Sequence, residues 1–322
     1  MPPAPAGRPV LLSSRLMGRA RSAIRSCMNM IVPDREKAEI PHQAELRQVV
    51  ISASRDVLSR MRMAAADLRE TLRLWPLVWT LSVMDIRLRY RGSLLGPFWL
   101  TLSTGVMIAA IGFVYSRLFH QNISEYLPFL TISLVLWNFV STTTAEGCLS
   151  FTQAEGTIRA MRMPLSLHAA RVVVRNLLVV AHNIVVIIIV FALFRTTPSL
   201  AAFSIIPACL LWAIDALALT LILGAVGARF RDIPPIVGSI MQIAFYVTPI
   251  IWSPTMLAHR GLSVVLVEWN PFYALIEVVR GPLLGQALEP VVWEIALGFS
   301  AVLALLAVAI FTRARPRIAY WL

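Results

Sequence analysis

From residue 98 onward the chain consists mainly of long apolar runs separated by short polar segments. A helix needs about 20 consecutive, mostly apolar residues to cross the hydrocarbon core of a bilayer, and six runs have roughly that length. They are residues 98–116, 127–145, 169–194, 200–228, 233–253 and 291–312. The pattern predicts an all-α integral membrane protein with six transmembrane helices.

The segment before the first run is amphipathic, whereas the runs themselves are mainly apolar. Three arginines alternate there with apolar residues: Arg87, Arg89 and Arg91. Arginines can stay with lipid phosphates while the apolar side chains enter the acyl boundary, and Gly96 and Pro97 allow the chain to change direction. We therefore expect residues 71–97 to form an amphipathic interface helix ahead of a transmembrane domain at residues 98–322.

Residues 1–70 are polar and basic. The first acidic residue is Asp34, and five arginines precede it within the first 30 residues. An organelle transit peptide and a basic cytosolic tail both fit this composition. We expect the tail, a partly disordered N-terminal extension.

Two connections between the apolar runs are longer than simple turns. Residues 146–168 can hold a short helix, and residues 254–290 contain two apolar pieces, 262–267 and 272–276, that are each too short to span a bilayer. Paired half-helices that re-enter the membrane would satisfy the backbone groups of these pieces. We expect such re-entrant outer half-helices between the fifth and sixth spans.

The arginines also predict an orientation, because cytosolic loops of membrane proteins carry an excess of basic residues. With the N-terminus inside, about ten arginines near the spans fall on cytosolic segments. Four fall outside: Arg117, Arg195, Arg260 and Arg280. Both termini are thus expected in the cytosol.

The composition is typical of a membrane protein and excludes one kind of nucleotide-binding site, the lysine-containing phosphate-binding loop. Charged residues make up 14% of the chain, against roughly 25% in soluble domains. The net charge of +12 could indicate nucleic acid, but basic residues that flank apolar spans fit topology and anionic lipid better. Lys37 is the only lysine and follows Glu36, so no phosphate-binding loop of the G-x-x-x-x-G-K-[ST] type exists. Any ATP-driven activity therefore needs a second polypeptide.

The cysteines and histidines do not form a recognisable site. Cys27, Cys148 and Cys209 are far apart, without a C-x-x-C pair or ligand-spaced histidines. The sequence therefore predicts neither a disulfide framework nor a metal site.

Seven short blocks, in order, resemble those of ABC-2-type permeases that export polysaccharides. The blocks are RYRGSLLGPFW at 89–99, LWNF at 136–139, ARFRDI at 228–233, TPIIWSP at 248–254, NPF at 270–272, EVVR at 277–280 and RIAYWL at 317–322. The likeness covers about residues 80–322 and is strongest to the O-antigen and capsule export branch.

The resemblance implies a homodimeric permease in the bacterial inner membrane, paired with two copies of a separate ATPase that holds ATP and Mg²⁺. The chain itself would carry no cofactor and catalyse no reaction. The implied substrate is a lipid-linked glycan, usually on a polyprenyl diphosphate carrier, moved from the inner leaflet outward. Membrane lipids are a further expected partner. Nucleic acid is not an expected partner.

Two sets of charged residues are candidates for contacts at the cytosolic side. Arg87, Arg89 and Arg91 can bind a lipid diphosphate headgroup, since arginine contacts phosphate oxygens in a bidentate manner; a plain anchor on anionic lipid is the alternative. Residues 153–163 form the expected coupling helix that docks on the ATPase, with a solvated loop as the alternative. Its candidate contacts lie at helical spacing: Glu155, Arg159 and Arg162.

Two further sets follow from the resemblance. Aromatic side chains on the first and fifth spans would line the path of the sugar, on whose rings aromatic faces can stack: Phe113, Tyr115, Phe245 and Tyr246. Ordinary packing or lipid contact is the alternative for each. An outer gate would contain Asn270, Pro271, Glu277 and Arg280, with surface exposure as the alternative for the last two.

Two ionisable residues lie near the middle of apolar runs. His182 and Asp215 would have similar depth in neighbouring antiparallel spans, and a charge at the bilayer centre costs at least about 2.5 kcal/mol. We therefore expect an intramembrane polar pair, for which structural pairing and a transport role are both open.

Two other functions are alternatives. An ABC-2 exporter of a small lipid or drug would share the fold but not require the basic and aromatic entry motif. A polytopic glycosyltransferase or acyltransferase would need converging carboxylates or histidines, and the five histidines are scattered.

Overall fold

The computed structural model describes residues 57–322, except residues 97, 199, 255–266 and 268. The described residues form helices that we number in chain order. They are α1 (Val57–Arg73), α2 (Trp75–Arg89), α3 (Phe98–Leu118), α4 (Ile123–Cys148), α5 (Glu155–Ala160), α6 (Leu165–Phe194), α7 (Ile205–Arg229), α8 (Ile233–Val247), α9 (Pro271–Leu283) and α10 (Pro290–Trp321), with a 3₁₀ helix at Leu200–Ser204 before α7. Most of the predicted extension, residues 1–56, lies outside the described residues.

Five of these helices are long and apolar enough to cross a membrane: α3, α4, α6, α7 and α10. Five of the six predicted spans are thereby confirmed as helices of spanning length. The remaining one, α8, begins at Ile233 as expected but ends at Val247 after 15 residues. Thr248 is extended because the following Pro249 disfavours helical backbone at that position.

Helix α4 lies at the centre of the bundle and contacts α3, α6, α7, α8 and α9. Its C-terminal end approaches α7 very closely. A Cβ atom on Gly227 would lie 2.2 Å from the carbonyl oxygen of Cys148, and one on Gly224 would lie 2.3 Å from Ser150 Oγ. Glycines on α7 therefore allow a separation between the two backbones that larger side chains would prevent.

Helices α4, α7 and α10 finish at one end of the bundle, and α6 begins there. We call this the basic end. Helix α1 is fastened there by Asp67, whose carboxylate is fully buried. It accepts hydrogen bonds from the first amides of α6, at Leu165 (3.2 Å) and Ser166 (2.9 Å), and from Arg315 Nε of α10 (2.8 Å). The predicted boundary at residue 70 falls inside this helix, whose buried residues are Asp67 and Thr71.

At the opposite end, the chain that leaves α8 is held in place by its backbone oxygens. Tyr126 donates a hydrogen bond to the carbonyl of Ile251 (2.7 Å), and Arg280 donates one to the carbonyl of Pro249 (2.9 Å). Asn270 caps α9 by accepting from the amide of Phe272 (3.0 Å). Of the two predicted re-entrant pieces, 272–276 is part of the buried helix α9, whereas 262–267 lies outside the described residues apart from Val267.

Candidate functional site

Five charged side chains meet at the basic end and form what we call the charge network. They are Asp85 and Arg89 from α2, Glu146 from α4, and Arg171 and Arg175 from α6. Arg171 binds both oxygens of Asp85, and its Nε donates to Oδ2 at 2.7 Å. The network connects the predicted interface helix to two helices of spanning length.

Arg175 lies at the centre of the charge network. Its Nη1 donates to Asp85 Oδ2 at 2.9 Å and its Nη2 to Glu146 Oε2 at 2.8 Å. Arg89 Nη2 donates to the other oxygen of Glu146 at 2.7 Å. Both carboxylates are thus paired, and three arginines against two carboxylates leave the network with one excess positive charge.

The arginines also keep Asp85 ionised. Burial raises the pKa of this carboxyl, but the hydrogen bonds and charges of Arg171 and Arg175 outweigh burial and hold the pKa below its ordinary value. Near neutral pH Asp85 is therefore an anion, and the charge network has its full set of ion pairs.

The three predicted headgroup arginines have different environments. Arg89 is the last residue of α2 and is held by Glu146. Arg87 and Arg91 are exposed, and Arg91 lies beyond the end of the helix. Gly92, with a positive φ of 88°, turns the chain immediately afterwards. The structure therefore places Arg89 within the charge network and leaves Arg87 and Arg91 directed toward the surroundings.

A groove of about 360 Å³ runs between α3, α4 and α8. Its lining combines polar side chains, Asn138, Ser141 and Gln242, with the aromatic rings of Trp137 and Phe245. The two ring centroids are 5.8 Å apart. Amides, a hydroxyl and aromatic faces on one surface are the groups that contact sugars through hydrogen bonds and stacking.

The four predicted path aromatics do not act as one set. Phe245 lines the groove, and the neighbouring Tyr246 packs edge-on against it with centroids 5.3 Å apart. Tyr246 and Phe113 are 65% and 59% exposed on the outside of the bundle. Tyr115 packs against Phe119 instead. The predicted set contains Phe245 but not Trp137, Asn138 and Gln242, which line the same groove.

Two of the predicted outer-gate residues, Glu277 and Arg280, are buried together at the opposite end. Arg280 is 1% exposed and pairs with Glu277 one turn earlier on α9. Its Nη1 also donates to Ser133 Oγ of α4 at 2.8 Å. The expected alternative, surface exposure, is therefore wrong for both residues. Asn270 and Pro271 begin α9, and Asn270 Nδ2 additionally donates to Thr248 Oγ1 at 3.0 Å.

The predicted coupling segment projects from the basic end. Phe151 and Ala154 anchor it, whereas α5 itself has no buried residue. Arg159 is exposed and pairs with the partly exposed Glu155 at 2.9 Å across one helical turn. Arg162 lies two residues beyond the end of α5 and is also exposed.

The predicted pair of His182 and Asp215 is not formed. Asp215 Oδ2 accepts a hydrogen bond from Ser300 Oγ of α10 at 2.7 Å, and His182 Nδ1 is 2.7 Å from the carbonyl oxygen of Leu178 on its own helix. The expectation of similar depth took no account of rotation about the helix axes. Asp215 faces α10, the neighbour that α7 contacts most extensively.

Comparison with known proteins identifies the family. Residues 76–284, about two thirds of the chain, match the family described as ABC-2 type transporter. The chain belongs to this family. It is accordingly a multi-pass membrane protein, and the family match extends from α2 to the end of α9, which includes the charge network and the groove.

Three relatives of this ABC-2 family member carry the name O-antigen export system permease protein RfbA. The one from Myxococcus xanthus is 24% identical over 208 residues, which are 65% of this chain and 80% of the relative. Two from Klebsiella pneumoniae are 22% and 23% identical over 247 and 248 residues; each alignment covers 76% of this chain and 95% of the relative.

The carboxylates that organise the basic end of this ABC-2 family member were not among the predicted site residues. Asp85 and Glu146 lie at the borders of apolar runs, and an isolated acid next to arginines, as Asp85 is, is a usable signal. Asp67 offers a weaker signal, because its partners Ser166 and Arg315 lie far along the chain.

Proposed function

We propose that this chain is the membrane-spanning permease subunit of an ATP-driven exporter that moves a lipid-linked polysaccharide, O-antigen- or capsule-like, across the bacterial inner membrane. The observation that carries the proposal is the alignment with O-antigen export permeases, which spans up to 95% of a relative. The proposed role of the chain is transport, with ATP and Mg²⁺ bound by two copies of a separate ATPase.

The groove between α3, α4 and α8 supports a sugar substrate. Asn138, Ser141 and Gln242 place hydrogen-bonding groups within a membrane-spanning bundle, where exposure of polar side chains to lipid is unfavourable. Sugar hydroxyls could satisfy these groups while Trp137 and Phe245 contact the faces of the rings. In this proposal the groove is one wall of the path, with Phe113, Tyr115 and Tyr246 as further wall residues.

In the proposed topology the basic end is cytosolic, both termini included, and α8 with residues 248–254 serves as the fifth of six spans. α9 and the chain before it would enter the membrane from the outside. Arg280, Glu277, Asn270 and Pro271 would then stabilise the outer gate. Arg87, Arg89 and Arg91 would attract the diphosphate headgroup at the inner surface, where excess arginine is the usual topological signal.

We also propose that two copies of the chain assemble into the permease. Helix α8 is short, and four apolar side chains on one face of it are exposed: Ile236, Ile240, Ile243 and Val247. A second copy against this face would supply the opposite wall of the path and a two-fold axis. The exposed α5 would be the surface that each copy presents to its ATPase.

The decisive experiment is deletion of the gene from its native host. Lipid-linked glycan should accumulate on the cytosolic side of the inner membrane and disappear from the cell surface, and the wild-type gene should restore export. Affinity purification of the restored protein should recover an ATPase subunit. Normal surface glycan in the deletion strain, or a purified protein without any ATPase partner, would contradict the proposal.

A further inference from the structure

A polar cavity of about 180 Å³ lies beneath the charge network at the basic end. It is enclosed by α2, by the start of α6 and by residues 149–154, the segment that leads into α5. Its polar lining consists of Asp85, Ser150, Gln153, His168, Arg171 and Arg175.

Three of these side chains present buried polar atoms that have no hydrogen-bond partner in the described part of the chain. They are both ring nitrogens of His168, Nε of Arg175 and Oγ of Ser150. His168 is only 2% exposed and Ser150 4%. Buried polar groups are nearly always hydrogen-bonded, so several unsatisfied groups around one cavity indicate an occupant that is itself polar.

The charges around the cavity favour an anion over a cation. Asp85 is the single carboxylate in the lining, and both of its oxygens already accept from Arg171 and Arg175. The charge network keeps one excess positive charge, and the unsatisfied groups of Arg175 and Ser150 are hydrogen-bond donors. His168 can supply one further donor in its neutral form and two when protonated.

The size of the cavity fits a tetrahedral oxyanion. A water molecule takes up about 30 Å³ in the liquid, so the cavity exceeds what one or two waters need. A phosphate group has several acceptor oxygens and is a preferred ligand of arginine.

We propose that this cavity is a phosphate-binding site, filled by the phosphate of a phospholipid headgroup or by free phosphate. The bound group would accept hydrogen bonds from Ser150, His168 and Arg175. It would thereby connect the segment before α5 to α6, close to α2. The site is distinct from the predicted headgroup arginines, since Arg87 and Arg91 are not part of its lining, and it does not depend on the proposed function.

The first arm of the test uses the full-length protein in a maltoside detergent, which contains no phosphate. Inorganic phosphate is titrated against chloride at constant ionic strength, and the midpoint of thermal unfolding is recorded. We expect a saturable rise in the midpoint for the wild type and for His182→Phe, a matched variant on the same helix and outside the cavity. His168→Phe should remove the rise, because the larger apolar ring occupies the site.

The second arm identifies the source of the phosphate. The same variants are kept in the maltoside detergent, and phosphatidic acid is added in place of inorganic phosphate. A rise that inorganic phosphate alone produces assigns the site to free phosphate. A rise that requires phosphatidic acid and is absent in His168→Phe assigns it to a lipid headgroup.

A milder variant keeps the test interpretable if His168→Phe misfolds. Ser150→Ala removes one hydroxyl and should raise the phosphate concentration for half-maximal stabilisation by about tenfold, the value of one charge-assisted hydrogen bond. The proposal is overturned if neither inorganic phosphate nor phosphatidic acid stabilises the wild type. It is equally overturned if stabilisation is the same in the wild type, His168→Phe and Ser150→Ala.

Discussion

Arg280 shows how a single buried charge can connect three parts of this bundle. Its guanidinium bonds to Glu277 on α9, to Ser133 on α4 and to the carbonyl of Pro249 after α8, and it lies 4.2 Å from the ring centroid of Phe129. Such a pair is costly to desolvate, but removing one partner is costlier because the other charge remains buried and uncompensated.

Replacement of Arg280 by alanine should therefore destabilise the protein by about 3–5 kcal/mol. The midpoint of denaturant-induced unfolding in detergent measures the effect. The matched control is Arg117→Ala, an exposed arginine at the same end, which should cost less than about 0.5 kcal/mol. The double variant Glu277→Gln/Arg280→Gln should recover part of the loss, and equal effects of the two single alanine variants would refute a structural role for the buried pair.

Asp67 is a second residue whose importance rests on its contacts. Asp67→Ala leaves two amides at the start of α6 and the guanidinium of Arg315 without their acceptor. We expect a loss of about 1–3 kcal/mol in unfolding free energy, and a smaller loss for Asp67→Asn, which keeps an acceptor oxygen. Glu70→Ala, at an exposed position on the same helix, is the control. A loss no larger than that of Glu70→Ala would show that α1 is not held by this carboxylate.

Contacts of this kind mark the limit of prediction from sequence at the residue scale. The cap of α9 is local, since Asn270 precedes Pro271 and binds the amide two residues on, and such a pattern can be recognised directly. Asp67 and Ser166 are 99 positions apart. The failed pairing of His182 and Asp215 has a different reason. Sequence indicates the depth of a residue in the membrane but not the rotation of its helix about the axis.

At the scale of helices, the lengths of the apolar runs predicted the positions of most of the membrane-spanning helices. The runs at 98–116 and 291–312 correspond to α3, which ends two residues later, and to α10, which continues nine residues further to Trp321. Length alone overestimated the fifth span, because residues 248–253 are apolar but cannot continue a helix through Pro249. Apolar character indicates burial or lipid, whereas backbone geometry decides where a helix ends.

The close crossing of α4 and α7 gives a prediction for Gly227. Alanine there would place a Cβ atom 2.2 Å from the backbone carbonyl of Cys148, so the helices must move apart. Overpacking of this type costs about 1–3 kcal/mol, and we expect a lower thermal midpoint and less monodisperse protein on size exclusion. Gly298→Ala on α10 has no atom within 4 Å of the new Cβ and should behave as wild type. Equal behaviour of both variants would contradict the tight crossing.

The exposed helix α5 gives a functional prediction at the same scale. Arg159→Glu should uncouple ATP hydrolysis by the partner from export, because it reverses a charge on the proposed docking surface. Folding should be nearly unchanged, since an exposed ion pair contributes about 0–1 kcal/mol. The measurements are ATPase activity of the purified complex and surface glycan in cells. Arg69→Glu, on the exposed side of α1, is the control, and full coupling in Arg159→Glu would remove α5 from the interface.

At the scale of the whole molecule, the exposed face of α8 and the groove beside it form a surface that lipid cannot cover well. Helix α8 rises about 22 Å over its 15 residues, less than the roughly 30 Å of a hydrocarbon core. Beside it lies the groove with Asn138, Ser141 and Gln242. Lipid tails could cover the apolar face of α8 but could not satisfy these polar groups. A second copy of the chain would enclose both surfaces, which is why we place the homodimer contact on α8.

Cysteine cross-linking tests this arrangement in a background without Cys27, Cys148 and Cys209. Ile243→Cys, which lies on the exposed face of α8, should form a covalent dimer under mild oxidation in native membranes. Met241→Cys is the matched control on the same helix, since Met241 is buried within the protomer. Leu305→Cys on α10 is equally exposed but lies on another helix, and it should give monomer. Efficient cross-linking at Leu305 without any at Ile243 would move the interface to α10 and leave the groove open to lipid, which the proposed transport path does not allow.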